Sequence, residues 1–462
     1  MTKTDLKSIK LANFIYQTQW ENIPQEIQKK SLEHLTDTLG ALIAGSASLE
    51  SALLVRGLNK IRPPKDGETS DPAAMAMIWG VQSHAFELDD TGGCDHSGAV
   101  IIPALLSAVM QTKKEGVKVS GKEFLCALII GYDIARRALE ACGGYEPHNK
   151  AGFHSTGTCG PFGAAAAAAK ILRLQPTVIQ NALGLSSSFS SGLWSCVHNG
   201  AQSKRIHPGH AAQGGFLSAI LAREGFTGPD QVFENVWGAF ENSFAPNSSD
   251  SDAWLRDLGT KWRLARVSIK PYASCRSTHS SIDAVKAIKE ELQFNNDEIE
   301  SIMVCINPFV YGMCGHYSFN PMGASQLSIP FSIATFLLYG DATLGSFLRD
   351  KRNDPRILPL LNLVHFKVDE SQTDDEEPSV TVKLKDGRTL TKKILEPLGT
   401  PTNPVGHDNL IQKFSSCAEI VFDKQSTNKI IHRLETLHSS DDVYESLRWC
   451  FEDLRVNKIL DV

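Results

Sequence analysis

The chain has 462 residues, 42% hydrophobic and 21% charged, with a net charge of −6 at pH 7. That length exceeds one ordinary core and sets the expectation of two domains, roughly 100–250 residues each. The acidic balance lacks the basic excess that drives counterion release, so nucleic acid is not an expected partner, and without a run near ~20 uninterrupted apolar residues neither is a membrane.

Residues 1–10 are polar and mixed in charge, with no apolar run behind them, so no secretory signal is expected. Ten cysteines are scattered without a C-x-x-C pair. They read as reduced thiols of a cytoplasmic protein, and no iron–sulfur cluster, structural zinc or other metal is expected.

Helical signals dominate to about residue 264. Ile23-Pro24 opens a helix to about residue 42, with Ile27, Leu32, Leu35 and Leu39 on one side. The segment His84-Ala-Phe-Glu-Leu-Asp-Asp-Thr-Gly-Gly-Cys-Asp-His-Ser-Gly-Ala99 then packs Glu87, Asp89, Asp90, Thr91, Asp95 and His96 around a Gly-Gly break. Apolar, helix-compatible sequence lies on both sides, and the charge stops at once, unlike a solvated face. Taken alone, the segment points to acid–base chemistry. Asp89 and Asp90 are also candidates for holding the loop through backbone N–H groups, a role favoured for Asp90. An isolated histidine such as His84 is more often a satisfied structural group.

The short apolar run at 124–132 reads as part of a core helix. Gly152-Phe-His-Ser-Thr-Gly157 places His154 near a helix N-terminus, where backbone N–H groups favour an anion. The alanine run 164–169 follows inside that helix. Ser203-Lys-Arg-Ile-His-Pro-Gly209 sets Lys204, Arg205 and His207 ahead of a helix expected at 211–221.

After residue 262 the pattern changes. Arg266-Val-Ser-Ile-Lys-Pro-Tyr-Ala-Ser-Cys-Arg-Ser-Thr-His279 crowds Lys270, Tyr272, Cys275, Arg276 and His279 at a domain junction, where ligand clefts are common. His279 reads as opening a helix. Strands are expected at 299–306, 361–368, 380–384 and 389–394, the last two joined by a hairpin at Asp386-Gly387, with helices at 280–292 and 327–339. The acidic run 374–377 reads as a solvated turn. Beyond Pro401-Thr-Asn-Pro404 the chain is helical again to its end. The fold class expected is mainly α, with a helical domain from 1–266 and 400–462 and an inserted α+β domain at 267–399.

Together the segments set acids and histidines against several cations. Such a site suits a small polycarboxylate: cations hold the carboxylates and offset the charge that builds as a carbanion forms. His154, Lys204 and Lys270 are the strongest candidates, since a lysine buried between apolar helices is costly without an anionic partner. Arg205 and Arg276 read equally as ligand contacts or structural ion pairs. Cys275 and Cys159 read as small buried hydrophobes before nucleophiles.

The patterns H-A-x-E-L-D-D-T…H-S-G-A, G-x-H-x-x-G, K-R-x-H-x-G-x-A-A and I-K-P-Y-x-S-C-R-x-T-H, in this order, resemble the MmgE/PrpD family. The resemblance implies a large helical domain, a smaller α+β lid, a homodimer, and a site between the domains that uses no metal or other cofactor. It also implies dehydratase, decarboxylase or epimerase activity on small polycarboxylates. Carried over by position, the site comprises Thr91 and His96, His154, Lys204 and Lys270, with Glu87 where the family often has Asp. Arg205, His207, Tyr272, Cys275 and Arg276 complete the expected substrate contacts. The leading expectation is a lyase removing water or CO2 from a citrate- or aconitate-type tricarboxylate. His154 would move the proton and Lys204 and Lys270 would clamp carboxylates, with His96 the rival proton donor. An epimerase of a small diacid and a non-catalytic polycarboxylate binder are the alternatives.

Overall fold

The computed structural model describes residues 5–63, 71–454 and 459–461. The fold is mainly α, with one four-stranded sheet. Among the described residues no single helix is long and apolar enough to cross a membrane. All ten cysteines are free, and only Cys275 and Cys305 are not fully buried.

Pro24 caps the helix Gln25–Ser46, which buries Ile27, Leu35 and Leu39. At the centre of the helical part, Ser155–Ile171 is buried along its whole length apart from Lys170. Its small residues make that possible. A Cβ on Gly163 would sit 2.4 Å from the Gly131 carbonyl oxygen, so the helix Gly121–Ala141 crosses backbone against backbone. A second close crossing positions the site. The helices Pro72–His84 and Ser203–Arg223 meet at Gly80 and Gly209, where a Cβ on Gly80 would lie 2.5 Å from the Gly209 Cα. This contact brings the end of one helix, and Glu87 beyond it, beside the start of the other.

The Ser203–Arg223 helix begins eight residues before the expected start. Lys204, Arg205 and His207 therefore lie in its first turns and not ahead of it, with Pro208 inside the helix. The proline forfeits only the bond to the Lys204 carbonyl, and packing of the buried face outweighs that loss.

The sheet has the order β2-β1-β3-β4. β1 (Ile299–Ile306) pairs in parallel with β2 (Val364–Val368) and antiparallel with β3 (Ser379–Leu384). β3 and β4 (Thr389–Lys393) form the expected hairpin, with Gly387 at φ 93 in the turn. Val380, Val382 and Leu384 alternate inward, which fixes the register. The helices His279–Leu292 and Ile329–Tyr339 pack together beside the sheet.

Buried apolar residues form two clusters. One joins helices from residues 11–267 with residues 414–450. The other is built mainly from residues 272–384 and reaches Ala85, Phe86 and Leu88. The two chain crossings between them run side by side, with Ile269 N donating to Gly399 O at 3.0 Å.

Candidate active site

The loop after the Pro72–His84 helix carries two non-glycine residues in left-handed conformation, Glu87 at φ 55 and Asp95 at φ 82. Such backbone is uncommon outside glycine and persists where surrounding contacts over-determine it. Those contacts are present. Asp90 accepts from Gly98 N at 2.9 Å and from the Tyr132 hydroxyl at 2.6 Å, holding the loop as expected. Thr91 and Ser268 exchange backbone bonds of 3.0 and 2.7 Å, which lays the junction segment along the loop. Lys270, two residues on, consequently reaches Glu87.

Glu87 is the charge centre. Lys204 donates to its Oε1 at 2.5 Å, Arg205 to the same oxygen, and Lys270 to Oε2 at 3.5 Å. All four residues are buried. Burial alone would push the Glu87 carboxyl up, but Lys204, Arg205, His84 and Lys270 together hold it well below the usual carboxylate range. Lys270 shows the reciprocal effect: burial pulls it down, and Glu87 and Asp89 raise it above an ordinary lysine. The Lys204 ammonium also lies 5.4 Å from the Trp194 ring centroid.

A histidine–aspartate set lies beside this centre. Asp89 bridges His84 Nδ1 and His96 Nδ1, each at 3.0 Å. Asp95 Oδ2 lies 3.6 Å from His96 Nε2 and 3.4 Å from His154 Nε2, and Thr91 donates to Asp95 Oδ1 at 3.1 Å. Burial opposes a charge on every imidazole here, yet the outcomes differ. His154 is driven down to about 4, whereas Asp95 and Asp89 keep His96 above its ordinary value. Asp95 itself lies well below the carboxylate range: burial raises it, and the His96 and His154 imidazoles outweigh that. His154 caps the Ser155–Ile171 helix, as the sequence suggests, and its Nδ1 lies 2.8 Å from His207 Nδ1.

The cleft beside these groups has a volume of about 610 Å³. Glu87, Thr91, Asp95, His96, Lys204, Cys275 and Arg276 line it. His154 and His207 lie behind that wall, and Lys270 backs Glu87. Arg205 faces a second cavity. Tyr272 is not brought to the cleft: its hydroxyl donates to Asp283 at 2.5 Å and it lines a separate depression, so its expected substrate contact is corrected. Arg276 pairs with Glu377 at 2.7 Å. His279 opens its helix and packs edge-on against Tyr272.

The acidic run 374–377 is also corrected. It borders the cleft, with Asp374 paired to Lys150 at 2.5 Å and Glu377 to Arg276. Sequence reasoning offered Asp89 as a loop-holding candidate and gave Asp95 and Trp194 no individual role in the site. The acids stood in the first segment, but nothing local tells which carboxylate meets which imidazole. Two triads among the described residues have metal-compatible spacing, His84–Asp89–His96 and Asp95–His96–His154. In the first, Asp89 lies 3.0 Å from the Nδ1 of both imidazoles, while His84 Nε2 is buried without a hydrogen-bond partner.

Residues 9–251 match the MmgE/PrpD N-terminal domain and residues 272–437 the MmgE/PrpD C-terminal domain. A cis-aconitate decarboxylase-like protein of Aspergillus oryzae is 26% identical over 95% of both chains. The cis-aconitate decarboxylase of Aspergillus terreus is 25% identical over 89% of both. The human cis-aconitate decarboxylase is 27% identical over 95% of this chain and 93% of its own.

Proposed function

The chain belongs to the MmgE/PrpD family, and from that premise we propose that it is a metal-independent lyase acting on a citrate- or aconitate-type tricarboxylate in the cleft. The observation that carries this reading is the convergence of Lys204, Arg205 and Lys270 on one carboxylate, beside two histidines whose pKa values are pushed apart. Cations hold carboxylates, and a split pair of titrating groups supplies acid and base. The two apolar clusters support a helical body, 1–266 and 400–462, with residues 267–399 as its lid. The family resemblance adds a homodimer.

The relatives' names favour loss of CO2. Breaking the carbon–carboxylate bond leaves an electron pair on carbon, spread into the adjoining double bond and its carboxylate. Lys204 and Lys270 offset that charge, and a proton then goes to carbon. This reading gives the proton to His96, which lines the cleft and holds its proton against burial. His154, one layer back, becomes a positioning residue acting through Asp95. Loss of water is the second reading, favoured by one imidazole held down at about 4, His154, beside one raised above its ordinary value, His96, since that elimination needs a base and an acid together.

Proton NMR of cis-aconitate, citrate and 2-methylcitrate incubated with the protein separates the readings. Itaconate formation supports decarboxylation, and aconitate-type products from the hydroxy acids support dehydration. Failure to consume any of the three at milligram enzyme levels overturns the lyase reading for these substrates.

A further inference from the structure

Lys413 stands on the helix His407–Ala418, and it does not line the cleft. Its ammonium nevertheless reaches the site loop. Nζ donates to Asp37 Oδ1 at 2.5 Å and to the Leu88 carbonyl at 2.7 Å. The Lys413 side chain is 10% exposed and that of Asp37 is fully buried. A helix crossing fixes this placement. A Cβ on Gly40 would lie 3.1 Å from the Phe414 ring, so His407–Ala418 approaches Gln25–Ser46 closely and holds Lys413 over Asp37.

A buried ion pair by itself adds little stability over apolar residues of the same shape. The second bond gives this pair its consequence. Leu88 lies between Glu87, which gathers the cations, and Asp89, which meets His96. The peptide that Lys413 grips therefore joins the two acids on which the site is built. Glu87 is left-handed at φ 55, a conformation that persists where outside contacts over-determine it. The Asp37 helix extends the hold from behind. His34, one turn earlier, places Nδ1 3.4 Å from Asp90 Oδ2, and the Asp90 carbonyl oxygen lies 3.0 Å from His96 Nδ1.

We propose that Lys413, with Asp37, is a positioning residue for the acid–base site. Its bond to Leu88 sets how Glu87 and Asp89 are presented and, through Asp89, where the His96 imidazole stands. This rests on the reading of His96 as the proton donor.

Combining Asp37→Asn with Lys413→Met removes the bond to Leu88 and leaves no buried unpaired charge, so the fold should persist, with the thermal midpoint as its check. Lys204 and Lys270 hold carboxylates from other segments. The double variant should therefore leave KM within about threefold and lower kcat by roughly 10–100-fold, the loss expected when a proton donor is misplaced. Lys413→Arg should keep kcat within about fivefold of wild type, since a guanidinium can make both donations. Hydrogen–deuterium exchange at imidazole C2, read by mass spectrometry across pH, follows His96 without requiring turnover. The His96 titration, raised in wild type, should fall toward the ordinary imidazole value in the double variant and hold in Lys413→Arg. A normal kcat with an unshifted His96 in a double variant of lowered midpoint makes the pair a structural strut and overturns the proposal. An equal kcat loss in Lys413→Arg overturns it too. If wild type consumes none of cis-aconitate, citrate and 2-methylcitrate, the lyase reading falls by itself. The His96 titration alone then decides: a shift upholds the positioning role, and no shift overturns it.

Discussion

Lys204 Nζ lies 2.5 Å from Glu87 Oε1, on a carboxylate that Arg205 and Lys270 also reach. One buried anion thus gathers three buried cations from the Ser203–Arg223 helix and the junction segment. Its removal would leave those cations uncompensated. Glu87→Gln is expected to lower the free energy of unfolding by ~3–5 kcal/mol, measured by urea denaturation. Unchanged stability would mean that solvent or substrate, not Glu87, balances the lysines.

His96→Gln should lower kcat by roughly 10²–10⁴-fold if His96 delivers the proton. His154→Gln should cost less at saturating substrate and should shift the pH profile, because it acts through Asp95. Steady-state kinetics of the two variants decide the matter. A dead His154→Gln enzyme alongside a near-normal His96→Gln enzyme exchanges the roles.

The same pair sets the pH response. Burial drives His154 to about 4 and His207 to about 3, so both stay neutral in the folded protein while the unfolded chain takes up protons below about 6.5. The unfolded state then binds more protons. Stability from these two groups should fall as pH drops from about 6.5 toward their folded values, by up to ~1.4 kcal/mol per pH unit for each. His96, raised, works in the opposite sense: its contribution is complete below its unfolded value and is lost as pH rises through its folded one. Activity should show an alkaline limb above about 6.5, and His96→Gln should remove that limb from any residual rate.

Lys270→Ala and Lys204→Ala should each raise KM and lower kcat, since a clamp on charge serves both the bound substrate and the transition state. A change in KM with kcat intact would restrict the lysine to ground-state binding.

Dialysis against EDTA should leave activity intact if the two His–Asp triads work by hydrogen bonding. Loss of activity that a divalent ion restores would assign one of them to a metal.

Elements governed by neighbours in the chain were legible. The Pro24 helix start, the hairpin at Asp386-Gly387 and the alternating strand β1 follow from local geometry and from a single buried face. So did the loop-holding role of Asp90. The start of the Ser203–Arg223 helix was not, because Pro208 is a local breaker that only long-range packing overrides. Nor was the setting of 374–377: a charge run looks solvated until Lys150 and Arg276 arrive from distant segments. Tyr272 was misread because Asp283, on the following helix, captures its hydroxyl.

The sequence by itself determined the family, the mainly helical fold and several of the residues that meet around Glu87, because four ordered motifs carry those residue types. Which imidazole is raised and which is lowered was decided only in three dimensions. His96 and His154 have the same intrinsic chemistry. What separates them is that two carboxylates from one loop face His96, while His154 lies deeper, with a neutral histidine on one nitrogen. Desolvation and nearby charge set a pKa, and both depend on how the helices meet at Gly80 and Gly209, which no local pattern specifies.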